Sequence, residues 1–228
     1  MTARALVTDI DGTLTDRARR ISLPAIGAIR RLVDGGIPVV LASGNTLCFM
    51  DGIARMIGTD GSVICENGGV WRRGFPGEPV VAGDRRVPLA AFEVLREHCA
   101  GCGIALDPFS HGLRHADVAF ARTVPADEVR AALRDHPVRV LDTGFAIHLQ
   151  QEGVSKATAL AALARAMGMT PADFVAIGDS ENDTEMIKAA GAGAAVGNAA
   201  PGAKAAADFV ATAPFGDGFV EAVDHYFS

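Results

Sequence analysis

The sequence predicts an α/β protein with a doubly wound, Rossmann-like parallel sheet and a small α+β cap domain inserted into it. Short apolar segments alternate with helix patterns over the first 57 residues, and the same alternation returns from residue 155 onward. A block of different character, beginning near residue 80, separates the two sets. Because alternating strands and helices build a parallel sheet covered on both faces, an insertion into one sheet explains this order better than two tandem domains.

The opening elements are short strands and amphipathic helices. Ser22 is a candidate N-cap, and Pro24 lies in the first turn of the helix that follows it. The strand at 38–42 is uniformly apolar, as in strands that are buried on both faces. A Glu-Asn-Gly-Gly turn at 66–69 leads the chain back into Val70. The predicted elements are a strand from Ala5, strands at 38–42 and 62–65, and helices at 22–33 and 46–57.

The later elements divide into the middle block and the second β-α set. The middle block is predicted to hold helices at 87–99 and 126–133, with strands at 117–121, 138–141 and 145–149. The second set is predicted to hold helices at 155–167, 183–190 and from Pro201, with strands at 174–178, 194–196 and 208–211. We therefore expect a core domain formed by residues 1–80 and 153–228, and a cap domain at 81–152.

The bulk composition is that of an ordinary soluble protein, which we expect to be cytoplasmic. The 228 residues carry a net charge of −6, which offers no basic face for nucleic acid. No apolar run reaches the roughly 20 residues of a membrane span, and none of signal-peptide length opens the chain. Cys99 and Cys102 form a solitary C-x-x-C motif, so neither a zinc site nor a disulfide is expected. The sequence does not distinguish a monomer from a homodimer.

Two carboxylates follow the first apolar segment. Residues two apart on a strand point to the same side, so Asp9 and Asp11 would project together at its carboxyl edge, and Gly12 then lets the backbone turn. Adjacent carboxylates repel each other unless a cation lies between them. Mg²⁺, which prefers oxygen ligands, would leave one carboxylate free to act as a nucleophile. The alternative is a solvated strand end with two acids.

Three further features follow strands or begin helices, where a doubly wound sheet binds its ligands. Ser43 ends a strand beside a helix start, which favours an anion, although a plain N-cap is the alternative. Lys156 lies at a helix start, where the dipole disfavours a cation unless an anion is bound nearby. The segment Gly178-Asp-Ser-Glu-Asn-Asp183 carries three acids and an amide, and its Asp179 and Asp183 can converge on one cation.

These residues resemble the four motifs of the haloacid dehalogenase superfamily of phosphatases, in the same order. The motifs are the segment 9–15, Ser43 within Leu-Ala-Ser-Gly-Asn, Lys156 after Gly-Val-Ser, and the segment 178–183. The block between the second and third motifs corresponds to a short version of the superfamily's larger α/β cap. With its Ser-Gly-Asn, Glu-Asn-Gly-Gly and Ile-His-Leu segments, the chain looks most like the archaeal-type phosphoglycolate phosphatases.

The resemblance implies Mg²⁺-dependent hydrolysis of a phosphate monoester, with 2-phosphoglycolate as the first-choice substrate. It implies that Asp9 forms an aspartyl phosphate, while Asp11 protonates the leaving oxygen and then activates water. The implied Mg²⁺ ligands are Asp9, the backbone carbonyl of Asp11, Asp179 and, directly or through water, Asp183. The residues expected to bind the substrate or its phosphoryl group are Ser43, Gly44, Asn45, Lys156 and Asn182.

Other activities remain open at this point. A broader sugar-phosphate phosphatase would have the same motifs, because specificity lies in the cap. A phosphomutase would keep the aspartyl phosphate from water and return the phosphoryl group to a substrate. A nucleotide-binding or response-regulator-like module would regulate another process rather than turn over a substrate. Asp11 argues against such a module, since a protonating acid is superfluous without a leaving group.

Arg114, within the polar segment 110–116, is the candidate for binding the substrate's carboxylate. Phosphoglycolate carries a carboxylate two bonds from its ester oxygen, and the arginine fork is the side chain best shaped to bind it. Arg114 also matches an arginine in the cap of the family that the chain resembles. The alternative is a solvated arginine on an exposed loop.

Overall fold

The computed structural model describes residues 4–227. The strands in chain order are β1 (Ala5–Asp9), β2 (Val39–Ala42), β3 (Val63–Cys65), β4 (Val70–Arg72), β5 (Val80–Val81), β6 (Pro108–Phe109), β7 (Asp117–Ala121), β8 (Val138–Asp142), β9 (Ala146–Gln151), β10 (Phe174–Gly178), β11 (Ala192–Ala195) and β12 (Phe209–Val210). The helices are α1 (Leu23–Asp34), α2 (Leu47–Ile57), α3 (Arg86–Ala100), α4 (Ala126–Ala132), α5 (Lys156–Ala166), α6 (Thr184–Ala189), α7 (Pro201–Ala206) and α8 (Phe215–Phe227). None of these helices is both long and apolar enough to cross a membrane.

The larger sheet has the strand order β12-β11-β10-β1-β2-β3-β4-β5 among the described residues. The strands from β12 to β3 are parallel, whereas β4 and β5 run antiparallel to their neighbours. The central strand β1 lies between β2, which precedes the middle block, and β10, which follows it. The predicted doubly wound α/β fold is confirmed, with one sheet built from both ends of the chain.

Apolar side chains cover both faces of β1, which is buried along its whole length. On one face Leu6 packs in a core with Ile29 of α1 and Phe219 of α8. On the other face Val7 packs in a second core with Leu160 of α5. Burial on both faces is typical of a parallel strand between two helix layers, and it fixes the position of the residues that end the strand.

The middle block folds into an antiparallel sheet of order β6-β7-β9-β8, with α3 and α4 against one face. Alternate residues of β7 and β9, such as Phe120 and Leu149, pack in an apolar core that also holds Phe92 of α3. The residues between them, including Asp117 and His148, point to the opposite face. This second face is buried and polar, and it covers the carboxyl ends of the core strands.

The sequence pattern missed α8, β5 and β6. Helix α8 begins after Pro214 with glycines at positions 216 and 218, which read as a loop in sequence. A Cβ on Gly216 would lie 2.1 Å from the Cβ of Ser22, so this glycine allows α8 to pack closely against the start of α1. The strands β5 and β6 have only two residues each, too few for a periodic signal.

The division into a core domain (1–80 and 153–228) and a cap domain (81–152) remains a proposal. Strand β5 pairs with β4 in the larger sheet, so this sheet continues across the boundary drawn between 80 and 81. Residues 1–3 and 228, which we assign to the core domain, lie outside the described residues.

Candidate active site

The carboxyl ends of three neighbouring strands meet at the site. Asp9, the last residue of β1, lies beside Ala42, the last residue of β2. Ser43 follows β2 directly, and Asp179 follows β10, the other neighbour of β1. The three polar residues therefore lie at one edge of the sheet, where open α/β sheets bind their ligands.

Lys156 is a buried cation between two carboxylates. It begins α5, directly after Ser155, whose side chain caps the helix. Its Nζ lies 2.5 Å from Asp9 Oδ1 and 2.7 Å from Asp183 Oδ1. Although burial alone would lower the pKa of Lys156, the charges of Asp183 and Asp9 raise it above its ordinary value. The ammonium group is therefore charged and fixes one carboxylate oxygen of Asp9.

Asp9, Asp179 and Asp183 form a cluster whose carboxylate oxygens lie within 4.8 Å of one another. Asp9 Oδ2 is buried and has no hydrogen-bond partner among the described residues. Burial, with the charges of Asp183 and Asp179, raises the pKa of Asp9 well above its usual range, against the opposing charge of Lys156. Burial and Asp183 raise the pKa of Asp179 to about 7. An oxygen-only donor set with such repulsion fits a hard divalent cation.

Asp183 also organises the loop that carries Asp179. Its Oδ2 accepts hydrogen bonds from the backbone N–H groups of Asp179 (3.1 Å) and Ser180 (3.0 Å). The carboxyl group is fully buried, and a Cβ on Gly178 would lie 2.6 Å from the Cβ of Asp183. Both carboxylate oxygens of Asp183 therefore accept hydrogen bonds from protein donors, and the carboxylate also belongs to the cluster with Asp9 and Asp179.

Asp11 lies in the turn after β1, because the strand ends at Asp9. Asp11 therefore does not lie on the strand itself, as the spacing argument assumed, but its side chain and that of Asp9 line the same cavity at the carboxyl edge. Asp11 Oδ2 accepts from Asn45 Nδ2 at 2.8 Å, and Oδ1 accepts from Arg19 Nη2 at 3.0 Å. The Arg19 guanidinium also lies 4.5 Å above the ring of Phe145 in the middle block.

The residues after β2 form the floor of the cavity. Ser43 Oγ accepts from the backbone N–H of Asn45 and from its side-chain amide. A Cβ on Gly44 would lie 3.1 Å from the Asn67 amide, so the loop leaves little room for a larger residue. Asn182 lines the cavity and donates to Asn67 Oδ1 at 2.9 Å. All the predicted binding residues except the buried Lys156 line this cavity directly.

A buried ion cluster forms the opposite wall. Arg114 Nη1 donates to Asp117 Oδ1 at 2.6 Å and to the carbonyl of Gly44 at 3.2 Å, and its Nε donates to the carbonyl of Phe109. His148 Nδ1 lies 2.8 Å from Asp117 Oδ2. Arg114 is only 7% exposed, so the alternative of a solvated loop arginine was wrong.

Glu66 joins the two sheets. Its carboxylate accepts from the backbone N–H groups of His115, Ala116 and Asp117 at 2.8–3.2 Å, and the side chain is buried. Burial, with the charge of Asp117, raises the pKa of Glu66, while these backbone hydrogen bonds oppose the shift. The start of β7, which carries Asp117 into the site, is therefore anchored to the turn after β3.

Sequence reasoning missed Arg19, Glu66, Asp117 and His148. Asp117 gave a usable signal, since an acid at the start of an apolar strand needs a partner when it is buried. His148 lies on β9 with Ala119 of β7 as its paired neighbour, two positions from Asp117 on the same face. Their contact depends on strand register, which the sequence pattern did not supply.

Comparison with known proteins identifies the family. A family model for haloacid dehalogenase-like hydrolases matches residues 6–79 and 123–223. The chain belongs to this family. The hydrolase is similar to a protein of Methanoculleus marisnigri named phosphoglycolate phosphatase, with 59% identity over 98% of this chain and 97% of the relative. A protein of the same name from Methanospirillum hungatei is 47% identical, again over 98% of this chain and 97% of the relative.

Solved structures share the fold of this hydrolase. A crystal structure of a Thermoplasma acidophilum protein superposes with a TM-score of 0.87 and 27% identity, covering 99% of each chain. The family resemblance drawn from the four motifs is thereby confirmed, together with the α/β fold that it implied.

Proposed function

We propose that this hydrolase removes the phosphoryl group of 2-phosphoglycolate, giving glycolate and inorganic phosphate through an aspartyl phosphate on Asp9. The name of the two archaeal relatives supports the substrate. The observation that carries the chemistry is the state of the Asp9 carboxylate. One of its oxygens is fixed by Lys156, and the other is buried at the cavity without a hydrogen bond to any described residue.

Asp9 is the nucleophile in this proposal. An oxygen of its carboxylate forms a bond to phosphorus as the bond between phosphorus and the ester oxygen breaks. Lys156 holds Oδ1 and so leaves Oδ2 as the attacking atom, with its lone pairs unengaged by protein donors. The buried position of the side chain keeps it in one orientation, which reduces the entropy cost of reaching the reactive geometry.

Asp11 is the general acid and then the general base. It gives a proton to the departing glycolate oxygen, and it takes one from the water that attacks the aspartyl phosphate. This second attack breaks the bond between Asp9 and phosphorus and releases inorganic phosphate. Arg19 and Asn45 each bind one oxygen of the Asp11 carboxylate, so they hold it beside the cavity rather than in the acidic cluster.

The acidic cluster fits the Mg²⁺ ion that we propose as cofactor. Asp9, Asp179 and Asp183 would hold it, with the backbone carbonyl of Asp11 as a further ligand. When bound, the ion would offset the negative charge that gathers on the transferring phosphoryl group. Thr13 Oγ1 donates to Asp179 Oδ1 at 3.1 Å, which fixes the orientation of this ligand.

The cavity suits a small phosphate ester. Its volume is about 220 Å³, below the range of about 300–1,000 Å³ typical of pockets for drug-sized ligands. Ser43 Oγ accepts two hydrogen bonds from Asn45, and its hydroxyl hydrogen has no acceptor among the described residues. This hydrogen is available to a phosphoryl oxygen, which supports the proposed role of Ser43.

Arg114 is the residue that we propose binds the substrate's carboxylate. Its Nε and Nη1 are used within the protein, but Nη2 makes no hydrogen bond to the residues that the structure describes, and the side chain lines the cavity. A charge-assisted hydrogen bond from Nη2 to a carboxylate in this buried setting would favour an acidic substrate.

Phosphate release from a panel of esters, with and without Mg²⁺, tests the proposal. The panel contains phosphoglycolate, ethyl phosphate, in which a methyl group replaces the carboxylate, and glucose 6-phosphate. We expect phosphoglycolate to have the highest kcat/KM and activity to vanish on chelation. A preference for the sugar phosphate would replace the substrate assignment, and equal activity without metal would remove the cofactor from the account.

A further inference from the structure

A shared anion organises the wall of the cavity opposite Asp9. The two oxygens of Asp117 bind different side chains, Arg114 Nη1 at 2.6 Å and His148 Nδ1 at 2.8 Å. Although burial alone would raise the pKa of Asp117, the hydrogen bond to His148 and the charges of His148 and Arg114 bring it below its ordinary value. Asp117 is therefore an ionised carboxylate that holds both side chains at neighbouring positions.

Each of these two side chains keeps one nitrogen unused. Arg114 Nη2 and His148 Nε2 make no hydrogen bond to the residues that the structure describes. Both residues line the cavity, and both meet the core at the same place. Arg114 donates to the carbonyl of Gly44, and a Cβ on Gly44 would lie 3.3 Å from His148 Cε1. The two side chains thus meet the core at Gly44, the residue after Ser43.

The arginine fork alone is incomplete for bidentate binding. Bidentate recognition of a carboxylate requires two parallel N–H donors, and the guanidinium has only Nη2 left for the substrate. A second donor must come from a neighbouring group. The imidazole of His148, held by the same carboxylate, is the neighbouring group with an unused nitrogen on this wall of the cavity, within the described residues.

We propose that His148 determines substrate specificity: its Nε2 donates to the acid group that Arg114 Nη2 also binds, while Asp117 holds Nδ1. The inference rests on the proposed function, since it completes the site for the substrate's carboxylate. The ligand class is a phosphate ester with a second anionic group a few bonds from the ester oxygen. Asp117 acts as a positioning residue, because it contacts the two donors and not the substrate.

The proposal requires a protonated imidazole, because both ring nitrogens must donate. The β8 residue paired with His148 is Leu141, which carries no charge. The charged groups around His148 are Asp117 and Arg114 beside it, Glu66 next to Asp117, and Asp9, Asp11 and Arg19 along the same cavity. An anionic ligand at Nε2 favours the protonated form of the imidazole.

The experiment measures the ratio of kcat/KM for phosphoglycolate to kcat/KM for ethyl phosphate. Both substrates carry the same phosphoryl group and use the same catalytic residues, so changes in the chemical step affect both and leave the ratio unchanged. The two variants are His148→Asn and His148→Gln. The Asn amide takes the place of Nδ1 and keeps the contact with Asp117 but does not reach the substrate. The Gln amide extends to about the place of Nε2 as a neutral donor.

In the wild type, we expect this ratio of the two kcat/KM values to exceed about 10 at pH 6 and to fall toward pH 8. Histidines in general change charge within this pH range. His148→Asn is expected to lower the ratio about tenfold or more at pH 6 and to remove its pH dependence. His148→Gln is expected to keep part of the ratio and also to lose the pH dependence.

Two outcomes overturn the inference, and they can be told apart. A wild-type ratio near one shows that the enzyme does not recognise the carboxylate. This result overturns both the proposed substrate and the proposed role of His148. A high wild-type ratio that His148→Asn leaves intact, with its pH dependence, retains the substrate and makes His148 a structural partner of Asp117. Circular dichroism of each variant excludes unfolding as the cause of a loss.

Discussion

Asp183 binds Lys156 with one carboxylate oxygen, at 2.7 Å, and the backbone of the neighbouring loop with the other. Both side chains are fully buried. The carboxylate therefore has a structural role that its place in the acidic cluster alone does not reveal. Removing Asp183 takes one of two carboxylates from the buried Lys156 and leaves the backbone N–H groups of Asp179 and Ser180 without their acceptor, which is costly.

Asp183→Ala is accordingly expected to lower the free energy of unfolding by about 3 kcal/mol or more, measured by urea denaturation with chelator present. Asp179→Ala should lower the free energy of unfolding much less, because Asp179 is repelled by Asp183 and forms no ion pair with the residues that the structure describes. Asp127→Asn, a change at a side chain that is 94% exposed, is the control. Equal stabilities for the Asp183 and Asp179 variants would contradict the structural role of Asp183.

The stability of the metal-free protein should depend on pH through Asp179. Its pKa is raised from 3.8 to about 7 in the fold, so its contribution to stability is fully present below about pH 4 and is lost as pH rises through about 7. We expect the chelated protein to have a lower Tm at pH 8 than at pH 5.5, and Mg²⁺ to raise Tm more at pH 8. Differential scanning calorimetry makes the measurement.

Asp179→Asn supplies the control for this pH dependence. The variant lacks the titrating carboxyl group, so its chelated form should show a weaker fall in Tm between these two pH values, and Mg²⁺ should stabilise it less. If Mg²⁺ raises Tm equally in the wild type and in Asp179→Asn, Asp179 is not a metal ligand.

Arg114→Ala should affect substrates unequally. If Nη2 binds the substrate's carboxylate in the buried site, truncation should lower kcat/KM for phosphoglycolate at least about 30-fold. This corresponds to a loss of about 2 kcal/mol or more of transition-state stabilisation. Hydrolysis of p-nitrophenyl phosphate, which has no carboxylate, should fall far less. Steady-state kinetics on both substrates, with the exposed Arg134→Ala as control, makes the comparison.

Equal losses on both substrates in Arg114→Ala would indicate a structural or phosphate-binding role instead. Such a role has a physical basis, since Arg114 also donates to Asp117 and to the carbonyl of Gly44. Activity unchanged on either substrate would leave the carboxylate without its proposed partner.

The sequence predicted the part of the site that depends on strand ends. Asp9, Ser43 and Asp179 follow apolar segments directly, and parallel strands bring their carboxyl ends to one edge of the sheet. Lys156 follows a helix cap, which is also a local signal. These positions were predictable because each depends only on its own segment and on the fold class.

Contacts that depend on register or on turn geometry were not predictable in this way. The pairing of Asp117 with His148 requires the alignment of β7 with β9, which the sequence pattern leaves open. The turn after β1 moves Asp11 out of the strand, so its partners became Arg19 and Asn45 rather than the acidic cluster. The backbone role of Asp183 arises from the turn between Ser180 and Asp183.

The covalent role of Asp9 can be observed directly in the variant Asp11→Asn. The variant keeps the nucleophile but lacks the group that activates water, so an aspartyl phosphate formed from an aryl phosphate with a good leaving group should accumulate. Asp9→Asn has no nucleophile and should form no adduct.

The measurement is intact-protein and peptide mass spectrometry of rapidly quenched Asp11→Asn after addition of p-nitrophenyl phosphate and Mg²⁺. Covalent catalysis by Asp9 predicts an added phosphoryl group on the peptide that contains Asp9, and no such addition in the double variant Asp9→Asn/Asp11→Asn. Two results together would contradict covalent catalysis by Asp9: no adduct in Asp11→Asn, and an Asp9→Asn rate within about tenfold of wild type. A tenfold change in rate corresponds to only about 1.4 kcal/mol in the activation barrier.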